Sequence, residues 1–334
     1  MDFTPSGEAR DLAAMTRDLV DSGRPLWPAL AGSGVLSAAL PERAGGEGHG
    51  LPEQCAILVE LGRAAATVPY LASIVAAAST LARFGSDEQV EQWAAPAGRG
   101  EHVLTAASSG TVDARPDGRG WRLDGEVTAV PAATEAALIL VPCGPDLFLV
   151  HPGDPGVTVE PQHVAGGPGA GSVRLDGAPG RPLEGAAAGL AARATAGACA
   201  QQLGVVERAL EMTAGYARER VQFGRPIGAF QAVSQRLADA YIDVEALRLT
   251  TWQAAWLLAA ERPAAAEVAT AGFWAAEAGH RVLHTAVHVH GGVGLDVTYP
   301  LHRYFLAAEY LEFLLGGATA QLFRLEIEHV TVRG

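Results

Sequence analysis

Residues 218–231 read RERVQFGRPIGAFQ. On either side lie long stretches rich in alanine and leucine, with apolar residues at helical spacing: Leu203, Val206, Leu210 and Thr213 before, Leu237, Tyr241, Val244 and Leu257 after. Gly224, Pro226 and Gly228 interrupt that pattern, because glycine loses the most backbone entropy in a helix and proline has no amide hydrogen to continue the ladder. Arginine and glutamine crowd the interruption. A simple helix connector needs only a few polar turn residues, whereas an arginine at a helix end beside open backbone amides makes an anion site.

Working outward, the spacing predicts one helix from near Gly189 to Arg220 and a second from Gln231 to Ala260. A third should have Pro263 in its first turn and reach about His290, and a fourth should run from near Leu301 to about His329. The first hundred residues also read as helical, with loops at LPERAGGEGHGLP and FGSDEQ, an apolar cluster of Ala56, Leu58, Val59 and Leu61, and Ser86 and Asp87 placed to cap a helix. Between about Glu101 and Leu183 glycine and proline become frequent. The runs VLTAAS, GWRLDGEVTAV, AALILVPC, LFLVHP and GVTVE there have the length of strands and end in turn residues. The expected fold is therefore α+β, mainly α: an N-terminal helical domain (residues 1–100), a small middle β domain (101–183) and a C-terminal four-helix bundle (184–334).

Of the 334 residues 49% are apolar and 18% charged, which fits a well-packed globular chain with further buried subunit interfaces and not a disordered one. A formal net charge of -13 argues against nucleic acid or an anionic membrane as the main partner, so a polyanionic ligand must be held by a few local arginines and backbone amides. Cys55, Cys143 and Cys199 are odd in number and lack metal-type spacing; they read as small buried residues in a reducing compartment. The start MDFTPSGEARDL is acidic and polar, and no uncharged apolar run reaches membrane-spanning length, so a cytoplasmic location is expected. His284 and His288 are four apart on a helix, with His290 close by, but no acid or cysteine lies at ligand spacing in that segment, so no metal site is expected.

The segment ERVQFGRPIGAFQ and a second one, HVHGGVGLDVTYPLHRYF (His288 to Phe305), together resemble the acyl-CoA dehydrogenase family. They stand in the family's order and at its separation, and the resemblance covers nearly the whole chain. It implies FAD as cofactor, an acyl-CoA thioester as substrate and an electron-transferring flavoprotein as acceptor. Arg220, Gln222, Phe223 and Gln231 match positions on the pyrophosphate and adenosine half of FAD. His288, Gly291 and Gly292 match the opposite wall, with His288 standing where the family usually has glutamine.

The same resemblance exposes what is missing. Family members remove the α-proton of the thioester with a glutamate while the β-hydride passes to the flavin, and that glutamate commonly precedes a glycine-threonine pair. Here Phe313 to Gln321 reads FLLGGATAQ, which places Leu315 or Gly316 at the glutamate position. The alternative position, on the first C-terminal helix, falls on Ala194 or its neighbours, so no catalytic residue is assigned. In the β domain LTAASSG and EVTAVPA keep Thr105 but little else of the flavin-ring strands. In family dimers each FAD has its ring in one subunit and its adenosine end against the neighbour's C-terminal helices. This chain keeps the part lent to the neighbour. The resemblance thus extends to the base-lacking subunit of actinobacterial α2β2 enzymes acting on steroid side chains, with a homologous partner supplying the glutamate and the chain alone inactive. The alternatives are a homo-oligomer with its base at Glu245 or Glu309, and a flavin-free scaffold.

Overall fold

The structure, a computed structural model, describes residues 3–107, 110–118 and 120–331, and side chains as far as Glu326. It opens with helices α1 (Gly7–Asp21), α2 (Leu26–Gly32) and α3 (Leu51–Arg63), followed by π-helical turns at Leu71–Ala78 that lead into α4 (Ser79–Phe84). Ser86 then caps the next turn as expected: its Oγ accepts from the Gln89 N–H at 3.2 Å, and the Gln89 side chain accepts from the Ser86 N–H at 2.8 Å. Seven strands follow: β1 (Val103–Ala106), β2 (Thr111–Asp117), β3 (Gly120–Pro131), β4 (Ala136–Cys143), β5 (Asp146–Val150), β6 (Val157–Gln162) and β7 (Ala170–Leu183). Helix α5 (Ala187–Glu219) leads to a minimal hairpin, β8 (Val221–Gln222) with β9 (Arg225–Pro226). The chain continues as α6 (Gln231–Ala259), α7 (Ala265–His290), α8 (Leu301–Leu315) and α9 (Gly317–Thr331).

Two compact units result, and they do not follow chain order. One gathers Ser6–Gln54 and Thr67–Gly197; the other gathers Cys55–Ala66 with the chain from Ala198 onward. In the first unit the sheet runs β1-β4-β5-β7-β3-β2, with β6 also on β7. Every pair in it is antiparallel except β1 with β4. β7 is the hub, pairing with β3 along most of its length and with β6 and β5 in turn. Leu123, Val127, Ile139, Val141, Phe148, Val173 and Leu175 bury the sheet's apolar face, each contributing about 1.5–3 kcal/mol.

In the second unit α7 is the central element, packing against α6, α8 and α9. It is lined with alanine and glycine (Ala269, Ala271, Gly272, Ala275, Ala278, Gly279), which lets side chains of its neighbours reach its backbone. The buried Gln202 amide of α5 donates to the carbonyls of Ala275 at 3.2 Å and Ala308 at 3.4 Å. Helices α3 and α5 touch backbone to backbone: a Cβ on Gly204 would lie 1.9 Å from the Val59 oxygen, and one on Gly62 would lie 2.0 Å from that of Gln201. Beside this contact the nearly buried Glu207 takes Arg63 at 3.0 Å and Arg248 at 2.6 Å. Burial raises its pKa while Arg248 and Arg63 pull it back. Among the described residues no helix is long and apolar enough to cross a membrane.

Three expectations need correction. The fourth C-terminal helix is two, because Gly316 and Gly317 both adopt φ of +76° and stop α8 in a left-handed cap. Pro263 stands before α7, not in its first turn. Strands β2 and β7 were not expected at all, and neither was the β8-β9 hairpin.

Candidate functional site

The interruption at residues 218–231 is an ordered turn. The Arg220 N–H still donates to Tyr216 at 2.8 Å, as in the helix, while the Arg220 carbonyl accepts from Ile227 at 2.8 Å and closes the hairpin. Its tip is Phe223 (φ +52°) and Gly224 (φ +80°), the two left-handed residues that a tight two-residue hairpin requires. Glycine accepts that conformation freely. For phenylalanine it is uncommon, and Phe223 is 92% exposed. Below it the Arg225 guanidinium lies 4.1 Å from the Phe230 ring centroid, and Phe223 meets Phe230 edge-on at 6.2 Å.

The end of α7 is joined to this turn through aromatic side chains. His290 is buried, and its Nδ1 lies 2.8 Å from the Ala286 carbonyl; a carbonyl only accepts, so Nδ1 carries the proton. Burial lowers the His290 pKa, against the opposing pull of that carbonyl, so the neutral ring is favoured and its Nε2 accepts from the Tyr299 hydroxyl at 3.2 Å. Tyr216, one turn before Arg220, stacks on the same imidazole at 4.3 Å with planes 24° apart. His290 therefore adjoins Gly291 on one side and supports the helix that delivers Arg220 on the other. Gly291 has φ +64° and ψ -142°, a conformation essentially confined to glycine, and nothing lies within 4 Å of where a Cβ on Gly292 would stand.

All seven residues singled out from the sequence, Arg220, Gln222, Phe223, Gln231, His288, Gly291 and Gly292, are exposed and belong to the same unit. Among the described residues the Arg220 guanidinium has no hydrogen bond or ion pair. An unneutralised cation, open glycine backbone and an outward-facing aromatic suit an extended anionic ligand with a flat ring. The supporting Tyr216-His290-Tyr299 stack was not anticipated. Its traces in the sequence are Tyr216 one helical turn before Arg220 and His290 and Tyr299 within the second segment.

The positions that match the family's glutamate carry no proton-accepting side chain, and the two alternative carboxylates sit in ion pairs. Leu315 is buried, its carbonyl accepting from the Gln321 amide at 2.5 Å, and Gly316 is the helix cap. Glu245 is paired with Arg248 at 3.1 Å, and Glu309 lies 4.0 Å from His284. In the other unit Thr105 is wholly buried and its hydroxyl donates to the Pro131 carbonyl at 2.5 Å, so it has no hydrogen to offer a ligand. Ala129 and Ala132 both have positive φ, at +53° and +51°, and the Ala129 N–H is taken by Gln162 at 2.7 Å. Ser108 and Ser109, in the same quoted stretch, lie outside the described residues.

Comparison with known proteins fits this geometry. Residues 8–101 match the family described as acyl-CoA dehydrogenase, N-terminal domain, and residues 188–325 that described as acyl-CoA dehydrogenase, C-terminal domain. The chain is 48% identical to acyl-CoA dehydrogenase FadE27 of Mycobacterium tuberculosis, over 97% of this chain and 98% of that one. Among solved structures it superposes with TM-score 0.94 and 48% identity on a chain of the ChsE4-ChsE5 complex from Mycobacterium tuberculosis, covering 99% of each. A chain of the Tcur3481-Tcur3483 steroid acyl-CoA dehydrogenase G363A variant follows, with TM-score 0.92, 38% identity and 98% of each covered.

Proposed function

The chain belongs to the acyl-CoA dehydrogenase family, and from that premise we propose that it is the half-site subunit of a heteromeric enzyme. FAD is the cofactor, and this chain holds its pyrophosphate and adenosine. A homologous partner supplies the flavin-ring pocket and the carboxylate that takes the α-proton of the acyl-CoA. When bound, the flavin supplies the acceptor for the β-hydride. Arg220 anchors the pyrophosphate by a charge-assisted hydrogen bond, Gly291 and Gly292 admit the ligand to bare backbone, His288 and the amides of Gln222 and Gln231 donate to it, and Phe223 packs on the adenosine.

One observation carries this reading. The adenosine-side residues stand exposed and the Arg220 guanidinium is unneutralised among the described residues, while the base position falls on buried Leu315 or the cap Gly316 and the Thr105 hydroxyl is spent inside the sheet. Random decay would damage both halves. Both solved structures above carry paired names, and one is described as a steroid enzyme, which supports a partner subunit, an α2β2 assembly and a bulky steroid-CoA thioester as substrate. An electron-transferring flavoprotein is the proposed electron acceptor, as in the family.

The test is to express the chain alone and with its homologous partner and to read flavin absorbance per chain. The pair should carry one FAD per two chains and the lone chain none, and Arg220→Ala in the pair should weaken FAD retention by roughly 10- to 100-fold, the worth of a hydrogen bond to a charged group. A lone chain that is yellow and turns over substrate would sink the half-site reading. An Arg220→Ala pair with undiminished flavin would remove the anion role.

A further inference from the structure

About two turns before His288, helix α7 carries His280 and His284, four residues apart and so on one face, with ring centroids 4.3 Å apart. Helix α8 packs beside α7 and brings two carboxylates to the same place. Glu309 Oε1 lies 4.0 Å from His284 Nε2, and Glu312 Oε2 lies 3.5 Å from His280 Nδ1. One ligating atom from each of His280, His284 and Glu309 falls within 4.8 Å of the other two. Two imidazole nitrogens with carboxylate oxygen is the donor set that zinc and its neighbours favour, at about 2.0–2.2 Å from the ion. Calcium and magnesium prefer oxygen alone. His280, His284 and Glu309 are exposed, so their rotamers are free to close the remaining distance.

A second observation points to the same place. Glu312 Oε2 is shut off from water yet, among the described residues, makes no hydrogen bond, with His280 Nδ1 3.5 Å away. A divalent ion there would supply the charge this oxygen lacks.

We propose that His280, His284 and Glu309, with Glu312 as fourth ligand, bind a single divalent transition-metal ion of zinc's class. The ion cross-links α7, which carries His288, to α8, which ends at the Gly316 cap. Sequence spacing did not reveal the site, because the histidines face Glu309 and Glu312 across two helices separated by the Gly291 to Pro300 turn. His288 and His290, the other candidates from the sequence, take no part: one is exposed, the other buried against Ala286 and Tyr299.

The test is titration of the full chain with Zn²⁺ against a chromophoric chelator, with Co²⁺ absorption as a second readout. One ion per chain is expected, with a tetrahedral Co²⁺ spectrum and no competition from Mg²⁺. His280→Ala, His284→Ala and Glu309→Gln should each weaken Zn²⁺ binding by at least about tenfold, the lower end of what even outer-sphere partners of a metal contribute, while His49→Ala should not. These are exposed side chains, and circular dichroism of each variant should match the parent. A chain that holds no Zn²⁺ at micromolar concentration, or a His280→Ala/His284→Ala double variant that binds as the parent does, overturns the proposal and leaves two ordinary His-Glu ion pairs.

Discussion

His290 lies where chemistry and stability meet. Its ring is held between Tyr216 and Tyr299 and supports both segments of the proposed anion-binding face. Because burial lowers its folded-state pKa below the ordinary value of about 6.5, the unfolded chain takes up the proton first as pH falls. The His290 contribution is therefore complete above about pH 6.5 and is lost as pH falls toward the folded pKa. His290→Phe keeps a flat ring against Tyr216 but cannot titrate. Between about pH 7.5 and about pH 5.5 the parent's melting temperature should fall further than that of the variant. Parallel curves would mean that His290 is not the titrating group. Sequence reading gave His290 no role, setting aside a metal site on the three histidines, because a residue's burial is set by neighbours that lie far away in the chain.

At the scale of elements, legibility followed locality. The ends of α5 and α6 were readable to within two residues, since glycine, proline and apolar spacing act within a few turns. Strand β7 was not, because its Gly171, Gly177, Gly180, Pro179 and Pro182 imitate a loop. Its reason is tertiary: a Cβ on Gly180 would come within 2.8 Å of Leu123, and Pro182 pairs with Phe148 near the strand's end. The Gly316-Gly317 pair was read only for the missing glutamate beside it, although two glycines after an apolar helical run are also a helix stop. That stop is testable. Nothing crowds a Cβ on Gly317, so Gly317→Ala probes φ +76° alone and should cost about 1–2 kcal/mol. Gly317→Asn should cost less, because its side chain tolerates the left-handed region. Equal melting temperatures for all three proteins would show that α8 and α9 do not need the break.

For the whole molecule, the family was legible from two short segments and the half-site reading was already drawn from the residues missing beside them; the contacts that bear on it were not legible. Thr105 looked retained until its hydroxyl was found pointing to Pro131, and Arg220, expected at the pyrophosphate from the resemblance, has no hydrogen bond or ion pair of its guanidinium among the described residues, which spacing could not tell. The surface of the C-terminal unit extends the same logic. Tyr241, Ile242 and Leu249 of α6 are 59%, 62% and 52% exposed, and Ile242 and Leu249 are two turns apart on one side of the helix. We predict that this apolar row, on a chain proposed to lend half a cofactor site, is a subunit contact. Replacing both residues, Ile242→Asp with Leu249→Asp, removes little packing within the chain, so its own stability should change by no more than about 0.5 kcal/mol per site. In the assembly each carboxylate would be buried without a partner, which costs several kcal/mol per charge. Light scattering of the co-expressed pair should then show separated subunits with flavin lost from both. An intact, yellow assembly would place the contact elsewhere on the unit and return these three side chains to the class of scattered surface apolar residues.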